Sequence, residues 1–137
     1  MMTNTMRGLV GEFFCLGSIA SMGWRVSHCA QDKIDAVCWH DEDPAAFYRV
    51  QVKSSLLHRH KGDYHFNLGT GLKKNLPSRD DYDILALVAV DQRRCAYFPV
   101  LSIRQKTKRF TPAYFNTPDL EEESWHRAID YLKRTRL

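Results

Sequence analysis

The run from Tyr82 to Val90, reading Tyr-Asp-Ile-Leu-Ala-Leu-Val-Ala-Val, constrains this chain more than any other stretch. Every residue after Asp83 is apolar, so a strand here has no face suited to water and both faces need covering. The run is far shorter than the roughly 20 residues that span a bilayer, and it predicts a central strand rather than a membrane segment. Asp91-Gln92-Arg93-Arg94 turns the chain, and Cys95-Ala96-Tyr97-Phe98-Pro99-Val100 returns as its partner.

Helices at the two ends of the chain are predicted to cover that sheet. Between Arg7 and Met22, Leu9, Phe13, Leu16, Ile19 and Ala20 recur at the helical period, with Glu12 inside the same stripe. A carboxylate on an apolar stripe is costly to bury unless it is paired or binds a cation; a rim position reaching water or an arginine is the alternative. Met22-Gly23 reads as the end of this helix, and Trp24 to Cys29 as a short strand. Near the other terminus, Thr117-Pro118-Asp119 predicts a helix start, with Thr117 as N-cap and Pro118 at the first position. The helix runs to about Arg134 with Trp125, Ala128, Ile129 and Leu132 inward. Acids at its front and Lys133, Arg134 and Arg136 at its back complement the helix dipole and need no nucleic acid to explain them.

The chain of 137 residues suits a single domain, 1–137, with one core. Hydrophobic residues at 44% and charged residues at 26% exclude a disordered chain. A formal charge of +4 permits a polyanionic partner without requiring one. Cys15, Cys29, Cys38 and Cys95 stand singly in apolar segments, as free thiols of a reducing compartment do. With no secretory signal recognisable, a cytoplasmic location is expected.

Candidate chemistry lies in the stretch Ile34 to Lys53, which has the form of a hairpin turned at His40-Asp41-Glu42-Asp43-Pro44. In its second strand Val50 and Val52 share one face while Gln51 and Lys53 share the other. An amide and a long cation beside the preceding Asp35 could hold and use a metal-bound water. Asp32, in the turn before, is read as a turn former. Past Lys53, the segment His58-Arg59-His60-Lys61 meets either a phosphate backbone or plain solvent. Tyr64 to Leu68 alternates as a strand with Tyr64, Phe66 and Leu68 inward. Gly69 to Asp81 reads as a long loop carrying Lys73, Lys74 and Arg79; its Gly-Thr-Gly lacks the pattern of a phosphate-binding loop. A second basic cluster follows between Ser102 and Phe110.

Asp35 followed by Gln51-Val52-Lys53 resembles the PD-(D/E)XK nuclease superfamily in its QxK form, over about Gly8 to Pro99. Gly8-Leu9-Val10-Gly11-Glu12 is similar to the first-helix segment that carries an extra metal-site glutamate in resolvase-like members. The resemblance implies an α/β fold with a restriction-endonuclease-like core: a central mixed sheet of four to five strands, flanked by helices, with an N-terminal helix first. It implies a metal-dependent DNA endonuclease, of homing or restriction type or resembling Holliday-junction resolvases, with Glu12, Asp35, Gln51 and Lys53 as catalytic residues. Mg2+, with Mn2+ as a substitute, would be held by Asp35, Glu12, the Gln51 amide oxygen and the Val52 main-chain carbonyl. Lys53 would orient water and stabilise charge. Arg59, Lys61, Lys73, Lys74 and Arg79 would meet double-stranded or branched DNA, and a homodimer or higher homo-oligomer would present paired sites. Gln51 in place of a carboxylate also admits a catalytically inactive, nucleic-acid-binding or assembly module of the same fold. His58, His60 and His65 offer a zinc alternative that lacks a fourth ligand.

Overall fold

The computed structural model describes residues 2–135; Arg136, counted above at the end of the last helix, lies outside the described residues. Helix α1 (Asn4–Ser21) leads into strands β1 (Arg25–Gln31), β2 (Ile34–His40), β3 (Asp43–Ser55) and β4 (Tyr64–Asn67). Strands β5 (Ile84–Ala89) and β6 (Arg94–Pro99) follow, then a 3-10 turn (Val100–Ser102), β7 (Thr107–Phe110), α2 (Pro112–Phe115) and α3 (Leu120–Arg134). The main sheet is mixed, in the order β1-β2-β3-β5-β6, with β3 and β5 parallel and the other neighbours antiparallel.

All of β5 is buried, as its composition demands. One face of the sheet is covered by α1 and α3, whose Ile19, Trp125, Ile129 and Leu132 pack with Val50, Ile84, Ala86 and Val88. The other face receives Tyr64 and Phe66 of β4, Phe110 of β7 and Phe115 of α2 against Leu85 and Leu87. That second layer is a small β4-β7 sheet together with the short helix α2. The basic segment after Ser102 thus becomes strand β7: Lys108 and Arg109 stay in water while Phe110 anchors it.

Helix α1 is rotated from the expected phase. Its buried residues are Gly11, Cys15, Ser18 and Ile19, while Leu9 and Phe13 are 47% and 55% exposed. Close approach and hydrogen bonding decide this. A Cβ on Gly11 would lie 1.8 Å from Ser54 Oγ, so the glycine lets the helix backbone close onto β3. The Tyr97 hydroxyl donates to Ser18 Oγ at 2.8 Å, and the Ser18 hydroxyl donates to Glu121 at 2.7 Å, tying α1 to β6 and α3.

The start of α3 also moves. Asp119, in the left-handed region at φ 61°, occupies the N-cap position; Thr117 instead donates its hydroxyl to the Ala113 carbonyl of α2. Glu121, Glu122 and Glu123 still fill the first turn, where they favour the helix dipole. Pro44, expected in the turn, lies inside β3, because the hairpin closes tightly at His40↔Asp43.

Asp83, the polar residue heading the apolar run, is only 5% exposed. It accepts from the Arg49 backbone N–H at 2.8 Å, from Arg49 Nε at 3.2 Å and from Arg79 Nε at 3.1 Å. Arg49 also donates to the Arg79 carbonyl. Together they clamp the loop before β5 onto β3. Cys15, Cys38 and Cys95 are buried free thiols, and Cys29 is half-buried and free. Among the described residues, no helix is long and apolar enough to cross a membrane.

Candidate metal and nucleic-acid site

The β2–β3 ladder ends at Ala36↔Val50, and from Val50 onward β3 pairs with β5. The sheet therefore forks after Ala36, and Asp35 sits at the fork. Its Oδ2 accepts the Val52 N–H at 2.7 Å. Continuing the antiparallel register by one residue sets Asp35 opposite Gln51, and cross-strand partners share a face. Lys53 lies two residues on, on that same face. A fork is an opening in a sheet, so side chains from a helix on the far side can also reach it.

Glu12 does so from α1. Its carboxyl group lies close enough to Asp35 to raise that residue's pKa, while the charge of Lys53 acts on the same Asp35 group in the opposite sense. Burial is the largest influence on Asp35, raising its pKa to about 6; the Val52 N–H opposes the rise and Glu12 adds to it. Lys53 is lowered from the ordinary lysine value, first by burial and then by Lys74, with Asp35 working the other way. Lys74 thus lies within electrostatic reach of the site although it belongs to the loop before β5.

Gln51 Oε1 is buried without a hydrogen-bond partner. A buried acceptor left unpaired costs about 1–3 kcal/mol, and a cation would satisfy it. Two carboxylates and an amide oxygen are hard donors that suit Mg2+ or Mn2+ better than a soft metal. Val52 enters the observed geometry through its N–H. Among the described residues, no group of three or more His, Cys, Asp or Glu side chains is placed to hold a metal ion; the fork has two acids, with glutamine beside them.

His28 was not singled out in the sequence. Its Nε2 lies 3.2 Å from Glu12 Oε1, and its ring stacks on Phe13 at a centroid distance of 5.4 Å. The β1–β2 register pairs His28 with Ala36, next to Asp35, and that pairing was the missing signal. The ring holds one glutamate oxygen and leaves Glu12 oriented towards the fork.

The basic residues divide. Arg59 and Lys61 are exposed on a turn closed by His58 N–H to Asp63 O at 2.7 Å and Gly62 N–H to His58 O at 2.9 Å. His58 Nδ1 accepts from the N–H groups of His60 and Lys61, so this histidine serves the turn. Lys73 and Lys74 are exposed. Arg79, by contrast, is engaged with Asp83. Asp32 is exposed in the β1–β2 turn, where Lys33 takes φ 66°.

The raised Asp35 carboxyl has a measurable consequence in metal-free protein. Its folded pKa lies above the unfolded value, so its contribution to stability is fully present below about pH 3.8 and is lost as pH rises through about 6. Urea denaturation in EDTA should therefore show Asp35→Asn gaining on the wild type by about 1–2 kcal/mol between pH 4 and pH 7, after allowance for solvent screening at a partly exposed site. A difference that stays flat over that range would place Asp35 in water.

Fold and fork together define an α/β protein with a restriction-endonuclease-like core: a central mixed sheet flanked by helices, with the N-terminal helix first. Among solved structures it is similar to a bacterial homing endonuclease, I-Ssp6803I, at a TM-score of 0.72 and 19% sequence identity, over 99% of this chain and 100% of that one. No protein-family model and no curated protein matches the sequence.

Proposed function

We propose that the protein is a metal-dependent DNA endonuclease that hydrolyses phosphodiester bonds at the β2–β3 fork. The observation that carries this reading is the convergence of Glu12, Asp35 and Lys53 at one break in the sheet, beside a glutamine oxygen that lacks any partner. Glu12, Asp35, the Gln51 amide oxygen and the Val52 carbonyl would hold Mg2+, or Mn2+ in its place. When bound, such a cation offsets the negative charge that gathers on the phosphate. Asp35 is held in register by the Val52 N–H, and Glu12 by His28.

Lys53 is a half-buried cation within electrostatic reach of Asp35 at the same opening. It donates to a phosphate oxygen and orients the water whose oxygen attacks phosphorus as the bond to the leaving oxygen breaks. Arg59, Lys61, Lys73 and Lys74 extend a positive surface to the flanking backbone; Arg79 helps to shape the loop. Each site cuts one strand, so a homodimer or higher homo-oligomer is the natural way to cut a duplex. Homing, restriction-type and junction-resolving enzymes are all compatible with this chemistry.

One observation favours a second reading, an inactive module that binds nucleic acid or assembles with it: the fork holds two acids where a third carboxylate would strengthen cation binding. Incubating the protein with linear, circular, forked and four-way DNA, with and without Mg2+ or Mn2+, separates the two. Metal-dependent cuts are the expected result. Binding that survives EDTA with no cut on any substrate would leave the inactive module.

A further inference from the structure

The loop between β4 and β5 carries an arrangement that neither the core nor the fork explains. Thr70 and Asn75 bridge it with two backbone hydrogen bonds, Thr70 N–H to Asn75 O at 2.8 Å and Asn75 N–H to Thr70 O at 3.0 Å. Gly71 at φ 76° and Lys74 at φ 52° make the reversal, and Lys74 N–H donates to Gly71 O at 3.2 Å. Gly69 packs so close beneath it that a Cβ there would lie 2.8 Å from the Lys74 carbonyl oxygen. The result is a small built hairpin rather than a slack connection, and it holds a lysine in a backbone region that non-glycine residues seldom adopt.

At the tip of this hairpin stands Leu72, fully exposed, with Lys73 and Lys74 following it. Turn tips ordinarily carry polar or small residues. A leucine held wholly in water adds nothing to folding, and here it sits beside two cations, one of which reaches the charge field of Lys53 at the fork. An apolar tip with cationic shoulders, next to a phosphate-cleaving site, has the chemistry of a side chain that enters a base step while its neighbours hold phosphates.

We propose that the 70–75 hairpin is a duplex-DNA probe, in which Leu72 presses into a base step and Lys73 and Lys74 hold the flanking phosphates beside the fork. The proposal rests on the nuclease reading and adds to it the element that engages the duplex. None of the three side chains is part of the core, so their replacement leaves folding intact, as thermal melts would verify.

The test uses the full chain and a mixed-sequence 30-base-pair duplex carrying 2-aminopurine, with Ca2+ in place of Mg2+ during binding and cleavage in Mg2+ measured in parallel. Wild-type binding should raise the 2-aminopurine fluorescence. Leu72→Ala should abolish that rise and weaken binding about 10-fold with an unchanged salt dependence. Lys73→Ala/Lys74→Ala should instead flatten the slope of log K against log salt by about 1.8. Wild-type cleavage together with unaltered binding and fluorescence for Leu72→Ala would overturn the probe and leave the nuclease reading standing. A duplex whose fluorescence wild-type protein leaves unchanged would overturn the probe, whereas the nuclease reading falls only if none of the linear, circular, forked and four-way DNAs is cut in Mg2+ or Mn2+.

Discussion

Asp35→Ala and Lys53→Ala proteins should each lose at least about a thousandfold in Mg2+-dependent DNA cleavage, the scale seen when a preorganised charge is taken from a phosphoryl-transfer site. The two losses differ in kind. Without Asp35 the fork loses one of its two carboxylates, so Mg2+ binding measured by calorimetry should weaken alongside activity. Without Lys53 the oxygen donors are intact, so metal binding should persist or tighten as a neighbouring positive charge disappears. Wild-type cleavage rates in either variant would remove that residue from the mechanism.

Replacing Asp83 by alanine should be the most damaging change to folding outside the hydrophobic core. The substitution leaves two guanidinium groups and the Arg49 backbone N–H without their common acceptor. Breaking a buried ion pair from one side costs about 3–5 kcal/mol; the lower end, about 3 kcal/mol, applies because Arg49 and Arg79 remain about one-third exposed to water. Against a total stability of about 5–15 kcal/mol this is a large fraction. Urea denaturation would show a midpoint shift with little change in slope. A loss below about 1 kcal/mol would mean that the clamp is dispensable. The clamp also carries a functional consequence: it sets where β3 leaves β2 for β5, so a weakened clamp should loosen the fork and lower activity even though Asp83 makes no contact with the four proposed catalytic side chains.

Much of the fold was legible from residue patterns because it follows from local periodicity. A run with no polar face, from Ile84 to Val90, could only be a central strand. Alternation placed Val50 and Val52 apart from Gln51 and Lys53, and the stripe Trp125, Ala128, Ile129 and Leu132 predicted the buried side of α3 correctly. Where hydrophobicity was a poor guide, the reading failed. Helix α1 buries glycine, cysteine and serine and leaves Leu9 and Phe13 half exposed, because close backbone approach at Gly11 and the Ser18 hydrogen bonds fix its rotation. The segment containing Lys108 and Arg109 reads as a basic cluster and includes strand β7, since Phe110 supplies the apolar contact. Arg79, read as a contact for nucleic acid, is tied to Asp83.

What the sequence alone determined about this protein is every strand but β7, the two long helices and the shared strand face of Gln51 and Lys53, since spacing along a chain decides which side chains share a face. Only the tertiary structure decided that β2 and β3 part at Asp35, that Glu12 and His28 reach the opening and that Lys74 comes within electrostatic reach of Lys53. Those outcomes depend on contacts between residues far apart in the chain, where packing distance and hydrogen-bond geometry, rather than local pattern, determine what meets.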